Sequence, residues 1–280
     1  AKMAILMRKY GQEVIKATSG KKVHGTGAVP GGINKNLSIE ERDVLKKDID
    51  QMIQWSIDGL ELFKKIFQGD MKHLSELAAF PSNHLALQRK DGCLDLYDVA
   101  LRAKTADGKI IFDGVEPKDY LEYIAEEVRP WSYMKFPFIK SLGMEKGWYR
   151  VGPLARINNC DFIDTPLAEK ERQGMMALTG GKPNNSSLAY HYARLIETLH
   201  SAEKIKELLD DKDLQGTELV KDGKHRKEGI AILEAPRGTL FHHYRINDTD
   251  QIVMANLIVS TTNNNEPMNR AVQWVARNEL

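Results

Sequence analysis

The 280-residue sequence predicts a mainly helical α+β fold, in which a bundle of long helices carries small antiparallel strand pairs at its periphery. Two observations predict this class. Apolar residues recur at every third or fourth position over two long stretches, one after Ser38 and one after Leu188. Short apolar runs bounded by Gly, Pro and Asp lie elsewhere in the chain, and such runs are typical of short paired strands.

The composition narrows the classes of protein. Hydrophobic residues make up 42% of the chain, enough for one large domain or two ordinary ones, and we interpret residues 1–280 as a single domain. A net charge of +1 predicts neither a nucleic-acid partner nor an anionic membrane surface. No apolar run is long enough to span a membrane. The two cysteines, Cys93 and Cys160, are too few for a disulfide framework, which indicates a reducing cytoplasm.

Helical spacing of apolar residues predicts three main helices. The first ends near Ser19. Ser38 and Glu41 fit a capping box, which opens a long amphipathic helix that continues to Phe67. The second long helix covers residues 188–209, where leucines and a tyrosine recur at three and four positions.

Residues 88–115 predict a peripheral β-hairpin. Residues 93–101 and 109–112 have the apolar content of strands, and residues 105–108 (TADG) between them are typical of a turn. The chain continues with residues 116–129, which predict a short helix with a proline suited to its first turn.

A Pro-Arg-Gly element joins two further predicted strands, residues 229–233 and 239–246. Pro236 fixes its own φ angle, and Gly238 allows a sharp path directly after Arg237. The backbone is therefore expected to aim the arginine. From these residues alone two interpretations stay open: a functional cation, or a surface arginine that forms a salt bridge in an ordinary turn.

Both ends of the sequence predict an internal fragment. Met3 and Met7 already follow helical spacing without a capping residue in front of them. Val272 and Val275 are still in helical phase near the other end, and Leu280 arrives without a Gly or Pro stop.

Four blocks of sequence resemble the large subunit of nickel-iron hydrogenases, in the order that the family has them. They are residues 29–32 (VPGG), 151–158 (VGPLARIN), 234–243 (EAPRGTLFHH) and 256–262 (NLIVSTT). Together they span nearly the whole chain. Within the family they look most like the cytoplasmic, bidirectional group, which includes NAD-reducing and coenzyme F420-linked or viologen-linked enzymes.

The resemblance implies a buried nickel-iron centre with CO and cyanide ligands, which cleaves H2 reversibly into protons and electrons. In the family two Cys-x-x-Cys pairs near the ends of the subunit hold this centre through soft thiolates. The nickel-iron cysteine ligands are absent from this chain, and Cys93 and Cys160 do not match them. The segment alone is therefore expected to be inactive. The implied partners are an iron-sulfur small subunit and diaphorase-type electron-transfer subunits.

The resemblance also assigns roles to individual residues. Arg237 matches the family's catalytic arginine, which faces the nickel. The backbone around Pro236 and Arg237 matches the family's donor to one cyanide, and Thr261 matches a hydroxyl that donates to the other. The backbone carbonyl of Leu257 matches a ligand of a hydrated Mg site. His242 matches a histidine whose expected role is to place the strand.

A second class stays open beside the enzyme. A metal-free relative, like the matching subunit of respiratory NADH:quinone oxidoreductase, would keep this fold as a binding scaffold. The intact Ala-Pro-Arg-Gly element favours the hydrogenase, because a scaffold has no need of a cation over nickel.

Overall fold

The computed structural model describes residues 2–69, 76–97 and 99–280, and it confirms the predicted α+β class. Contacts divide the chain into two compact units. One is Ala1–Lys64 with Thr198–His225, and the other is Lys65–Glu197 with Arg226–Leu280. The single-domain interpretation of residues 1–280 stays a prediction, because a compact unit need not fold by itself.

The helices range from single turns to the 21 residues of the longest. In chain order they are α1 (Lys2–Ser19), α2 (Ile39–Lys46), α3 (Ile49–Gly69), α4 (Tyr120–Tyr123), α5 (Gly143–Lys146), α6 (Pro153–Asn159), α7 (Pro166–Ala177), α8 (Ala189–Leu209), α9 (Ser260–Asn263) and α10 (Asn265–Asn278). None of the helices among these described residues is both long and apolar enough to cross a membrane.

The strands form four small sheets. They are β1 (Ala28–Val29), β2 (Gly32–Ile33), β3 (Asn83–Gln88), β4 (Ala100–Lys104), β5 (Ile110–Val115), β6 (Ile124–Glu127), β7 (Phe136–Ile139), β8 (Tyr149–Arg150), β9 (Glu228–Ala235), β10 (Gly238–Ile246) and β11 (Ile252–Ile258). The sheet orders are β1-β2, β6-β7, β11-β10-β9 and β5-β4-β3-β8. All pairs are antiparallel except β3 with β8, which is parallel.

The first unit is mainly helical, with the short β1–β2 pair, and its described residues include two small apolar clusters. Ala17 of α1 packs with Leu45 of α2 and Leu209 of α8 in one cluster. Ile49 and Met52 of α3 pack with Ala202 of α8 in the other. The predicted capping box is confirmed at the start of α2, where the side chains of residues 38 and 41 each bond the other residue's backbone N–H.

The predicted long helix over residues 38–67 is interrupted, because α2 ends at Lys46 and α3 begins at Ile49. Leu45 lies in the first cluster and Ile49 lies in the second, and Tyr10 of α1 and Ile205 of α8 pack against both. At the break the Asp48 N–H bonds the Leu45 carbonyl at 3.4 Å, three residues back instead of four, which interrupts the α-helical hydrogen bonds.

The second unit is built around the sheets. Its core joins the four-stranded sheet to β10 and β11 through Leu85, Leu101, Tyr149, Phe241 and Ile258, each at most 1% exposed. Helix α6 packs against β3 and is buried along its whole length. Strand β3 also contacts β9 and β10, so it links the buried helix to the β9–β10 hairpin.

Two predictions in this unit are corrected. The helix predicted over residues 116–129 ends at Tyr123, because Ile124–Glu127 pairs with Phe136–Ile139 and the ladder takes up the backbone groups that a helix would have used. The hairpin predicted over residues 88–115 exists as β4 and β5, but these strands belong to a four-stranded sheet instead of standing as a pair. Asp98, inside that prediction, lies outside the described residues.

Candidate functional site

The Pro-Arg-Gly element forms a two-residue turn between β9 and β10. Ala235 pairs with Gly238 across the ladder, so Pro236 and Arg237 make up the turn, as predicted. Gly238 has a φ angle of 131°, in the region that favours glycine. A Cβ atom at Gly238 would lie 2.6 Å from the backbone nitrogen of Gly152. The turn therefore packs closely against the chain that leads into α6.

The Arg237 side chain is exposed, and it makes no hydrogen bond or ion pair with any residue that the structure describes. The alternative of a salt-bridged surface arginine therefore finds no support in the described part of the chain. A guanidinium without an anionic partner keeps its five N–H donors available for a ligand.

A second arginine lies behind the turn. Arg156 on α6 is 5% exposed, and its guanidinium forms a two-bond fork with Glu197, with Nε–Oε1 at 2.5 Å and Nη2–Oε2 at 2.8 Å. Its Nη1 donates to Glu234 Oε2 at 2.7 Å and to the Ala235 carbonyl at 3.0 Å. Its Nη2 also donates to the Pro236 carbonyl at 3.4 Å. Arg156 therefore contacts both backbone carbonyls that precede Arg237.

The Glu234 carboxylate completes this buried cluster. Its Oε1 accepts from the Leu87 N–H at 2.9 Å and from the Thr239 hydroxyl at 2.7 Å. Burial raises the pKa of Glu234, while Arg156 and the Leu87 N–H act to lower it. Burial acts to lower the pKa of Arg156, but its bonds to Glu197 and Glu234 raise that pKa overall, so its guanidinium stays charged.

Helix α9 brings Thr261 to the same place. The Ser260 hydroxyl donates to the Gly238 carbonyl at 2.7 Å, and the Asn263 amide donates to the Thr239 carbonyl at 2.9 Å. These bonds fix α9 to the first two residues of β10. Thr261 itself is exposed. The structure thus brings together three of the predicted site residues, Pro236, Arg237 and Thr261.

Leu257 lies apart from this group. It pairs with His242, five residues along β10 from Arg237, which corresponds to about 17 Å along a strand. The His242 ring is held in the strand by the Tyr244 hydroxyl, 2.9 Å from Nδ1. No group of three His, Cys, Asp or Glu side chains among the described residues could hold a metal ion.

Both cysteines are structural. Cys93 and Cys160 are buried as free thiols, and each Sγ lies 3.4 Å from a neighbouring backbone carbonyl. Burial raises the pKa of Cys160 to about 12 and also raises that of Cys93. Among the described residues, neither cysteine belongs to a group of three His, Cys, Asp or Glu side chains that could hold a metal ion.

Arg150 and Arg156 flank a Gly-Pro break in the sequence, and neither was predicted to be a site residue. Glu234, one of the partners of Arg156, lies in the same block as Arg237, yet 78 residues separate it from Arg156. The one signal in the sequence was a charged residue inside a short helix of apolar neighbours, a pattern that requires a buried partner.

A second buried polar network lies beside this cluster in the same unit. His84 is fully buried, and its Nε2 lies 3.3 Å from both the Asn185 and the Asn158 side-chain amides. Burial lowers the pKa of His84 to about 3, and the charge of Arg150 acts in the same direction. Arg150 donates to the Asn185 carbonyl at 2.8 Å and stacks on Phe80 at 4.3 Å. No local pattern in the sequence predicts this network.

Comparison with known proteins identifies the family of the chain. The family model described as nickel-dependent hydrogenase matches residues 97–278. The beta subunit of the NAD-reducing hydrogenase HoxS of Cupriavidus necator is 44% identical, over 100% of this chain and 59% of its own length. A vhu-type F420-non-reducing hydrogenase polypeptide of Methanocaldococcus jannaschii is 42% identical, over 99% of this chain and 66% of its own length. The chain thus spans about three-fifths to two-thirds of these relatives.

Solved structures show the same similarity. An NAD+-reducing [NiFe]-hydrogenase in the H2-reduced state superposes with a TM-score of 0.95 and 47% identity, covering 98% of this chain and 61% of that chain. The [NiFeSe]-hydrogenase of Dm. baculatum has a TM-score of 0.73 at 21% identity, over 93% of this chain and 58% of its own, and so shares the fold. With a matching family model over most of its length and a turn that presents the motif's arginine, the chain belongs to the nickel-dependent hydrogenase family.

Proposed function

We propose that these 280 residues form the central part of the catalytic subunit of a nickel-iron hydrogenase, which cleaves H2 reversibly into protons and electrons. One observation carries the proposal. The guanidinium of Arg237 stands exposed and unpartnered among the described residues, at the tip of a turn whose backbone is fixed from behind. The relative from Cupriavidus necator is named as a hydrogenase, and it matches 100% of this chain.

The described residues fit a nickel-iron centre as hydrogen-bond donors around it, and not as ligands of its metals. The chain has no Cys-x-x-Cys pair, and no group of three His, Cys, Asp or Glu side chains among the described residues could hold a metal ion, so the thiolate ligands would come from other parts of the enzyme. Pro236, Arg237 and Thr261 would contact the centre, because their exposed groups lie together at one end of the β9–β10 hairpin. When bound, the centre supplies the heterolytic cleavage of H2.

Arg237 acts as an orienting and charge-stabilising group. A guanidinium stays protonated in proteins, so its positive charge stabilises negative charge that develops beside it, and its planar donors orient what they contact. The Thr261 hydroxyl and the Arg237 backbone N–H would donate to the cyanide ligands of the bound centre, because a buried acceptor without a donor is costly.

Leu257 serves a separate site in this proposal. Its backbone carbonyl would be one ligand of a hydrated Mg ion, a cation that prefers oxygen donors and keeps several waters. Because Leu257 is about 17 Å along the strand from Arg237, this ion would act on structure instead of on H2.

The partners follow from the same family. An iron-sulfur small subunit and diaphorase-type subunits would carry the electrons, and the whole assembly would work in the cytoplasm. The solved relative at 47% identity is named as NAD+-reducing, which supports an electron-transfer partner of this kind.

The test uses the full-length subunit in its natural assembly. We expect one nickel per chain, and we expect Arg237→Lys to lower the rate of H2 oxidation by about 100-fold or more while nickel content is retained, because lysine keeps the charge but loses the planar donors. H2-dependent dye reduction and metal analysis measure the two quantities. Arg245→Lys is the matched control, since Arg245 is an exposed arginine near the other end of the same strand.

Two results would contradict the proposal. Wild-type turnover in Arg237→Lys would remove the arginine from the reaction. A full-length wild-type subunit that contains its cysteines but no nickel would favour the second class, the metal-free scaffold.

A further inference from the structure

We propose that Arg156 is the positioning residue for the Arg237 guanidinium, an inference that rests on the proposed function. Arg156 does not itself reach the exposed face of the turn, because it is 5% exposed and donates to the turn's carbonyls from behind. Its role is to hold the backbone that carries Arg237.

The donor geometry of Arg156 matches this role. Its three nitrogens carry five N–H groups and make five contacts: two with Glu197, one with Glu234 and one each with the carbonyls of Ala235 and Pro236. A lysine has three donors at a single atom and could not serve two carboxylates and two carbonyls together. The site therefore requires the donor geometry of an arginine, and the positive charge of a lysine would not be enough.

The turn is also held by close packing against the residue that precedes α6. A Cβ atom at Gly152 would lie 2.9 Å from the carbonyl oxygen of Arg237. The backbone groups of Ala235, Pro236 and Arg237 are thus constrained in succession, while the Arg237 side chain has no partner among the described residues. Such an arrangement fixes the base of the side chain and leaves its end for the reacting group.

The carboxylates hold Arg156 in this orientation. Glu197 fixes the plane of the guanidinium through the two-bond fork, and Glu234 anchors Nη1. Glu234 is itself tied to Leu87 of β3 and Thr239 of β10. These bonds connect the turn to the four-stranded sheet of the second unit. The sequence of the turn alone could not provide this support.

The experiment compares Arg156→Lys with Arg172→Lys in the assembled full-length enzyme. Arg172 is the matched control because it also forms a fork with one glutamate, Glu169, and donates to one backbone carbonyl, that of Asp161. Nickel per chain, kcat, KM for H2 and the infrared bands of the cyanide ligands are measured.

We expect Arg156→Lys to keep its nickel, to lower kcat by roughly 10- to 100-fold and to change KM by less, because a displacement of about 1 Å at a reacting group has costs of this order. We expect at least one cyanide band to shift, since the turn backbone moves. Arg172→Lys should stay within about twofold of wild type in kcat, with unchanged bands.

Wild-type kcat with unchanged cyanide bands in Arg156→Lys would overturn the inference and leave the proposed function intact. A wild-type enzyme without nickel would instead overturn the proposed function. Should the lysine variant fail to assemble, Glu197→Gln carries the test, because it weakens the fork but leaves the bonds to the turn. A fall in kcat of about threefold to tenfold with nickel retained then supports the inference, and an unchanged kcat overturns it.

Discussion

At the scale of single residues, the site separates side chains that fix the backbone from side chains left for a ligand. The side chains of Ser260 and Asn263 donate hydrogen bonds to backbone carbonyls of β10. Thr261, between them, is exposed and makes no hydrogen bond through its hydroxyl to any described residue. The same division holds between Arg156, which is fully bonded, and Arg237, which has no partner in the described part of the chain.

Thr261 provides a prediction at this scale. Replacing the hydroxyl by a methyl group in Thr261→Val should shift a cyanide stretching band in the infrared spectrum of the full-length enzyme, because the nitrogen loses its donor. Thr262→Val changes the neighbouring threonine of the same helix and is the control, with no shift expected. Identical spectra for Thr261→Val and wild type would refute the contact.

The residues proposed to face the ligand could be picked out from the sequence, whereas the residues that support them could not. Arg237 and Thr261 lie in short blocks that can be matched along the sequence. The pairing of Arg156 with Glu197 and Glu234 depends on which helix and strands meet, across 41 and 78 residues of chain. No spacing rule within one element contains that information.

At the scale of elements, the β9–β10 hairpin matches its sequence pattern closely. Both strands and the Pro236-Arg237 turn were predicted. Runs of apolar residues typical of strands lie on either side of a Pro and a Gly, and this local pattern indicates a hairpin. The break between α2 and α3 was not predicted. The apolar positions keep one helical period across both segments, so the pattern of apolar residues alone does not reveal the break.

Gly238 is the residue on which the hairpin geometry depends. We expect Gly238→Ala to lower the free energy of unfolding by about 1–3 kcal/mol, because alanine is strained at a φ of 131° and its Cβ would lie 2.6 Å from the Gly152 nitrogen. Gly229→Ala, on β9, is the control, since a Cβ there meets no atom within 4 Å. Thermal unfolding of the two variants measures the difference, and equal midpoints would contradict the expectation.

At the scale of the whole molecule, the composition and the spacing of apolar residues were enough to predict the fold class. They did not give the four-stranded mixed sheet, because its parallel pair joins β3 to β8 across more than sixty residues. They also did not give the polar network around His84, whose burial follows from that pairing. Long-range pairing is the part of the fold that local patterns do not specify.

This buried histidine makes stability depend on pH. His84 stays neutral in the folded protein down to its pKa of about 3, whereas in the unfolded chain it takes up a proton near pH 6.5. Below pH 6.5 the unfolded state binds more protons, so stability falls by about 1.4 kcal/mol per pH unit until the folded pKa is reached.

Denaturant unfolding of wild type and His84→Gln between pH 7.5 and 5 tests this expectation. The stability advantage of wild type over the variant should shrink as the pH falls. His191→Gln, at an exposed position of α8, is the control, and its curve should run parallel to that of wild type. Parallel curves for His84→Gln would show that the buried imidazole does not govern the dependence.

The anchoring of the turn through main-chain carbonyls has a consequence for engineering. Since nothing in the described fold holds on to the Arg237 side chain, its identity is uncoupled from folding. A set of variants with other natural or non-natural cationic residues at position 237 would therefore change the side chain while the turn backbone stays in place.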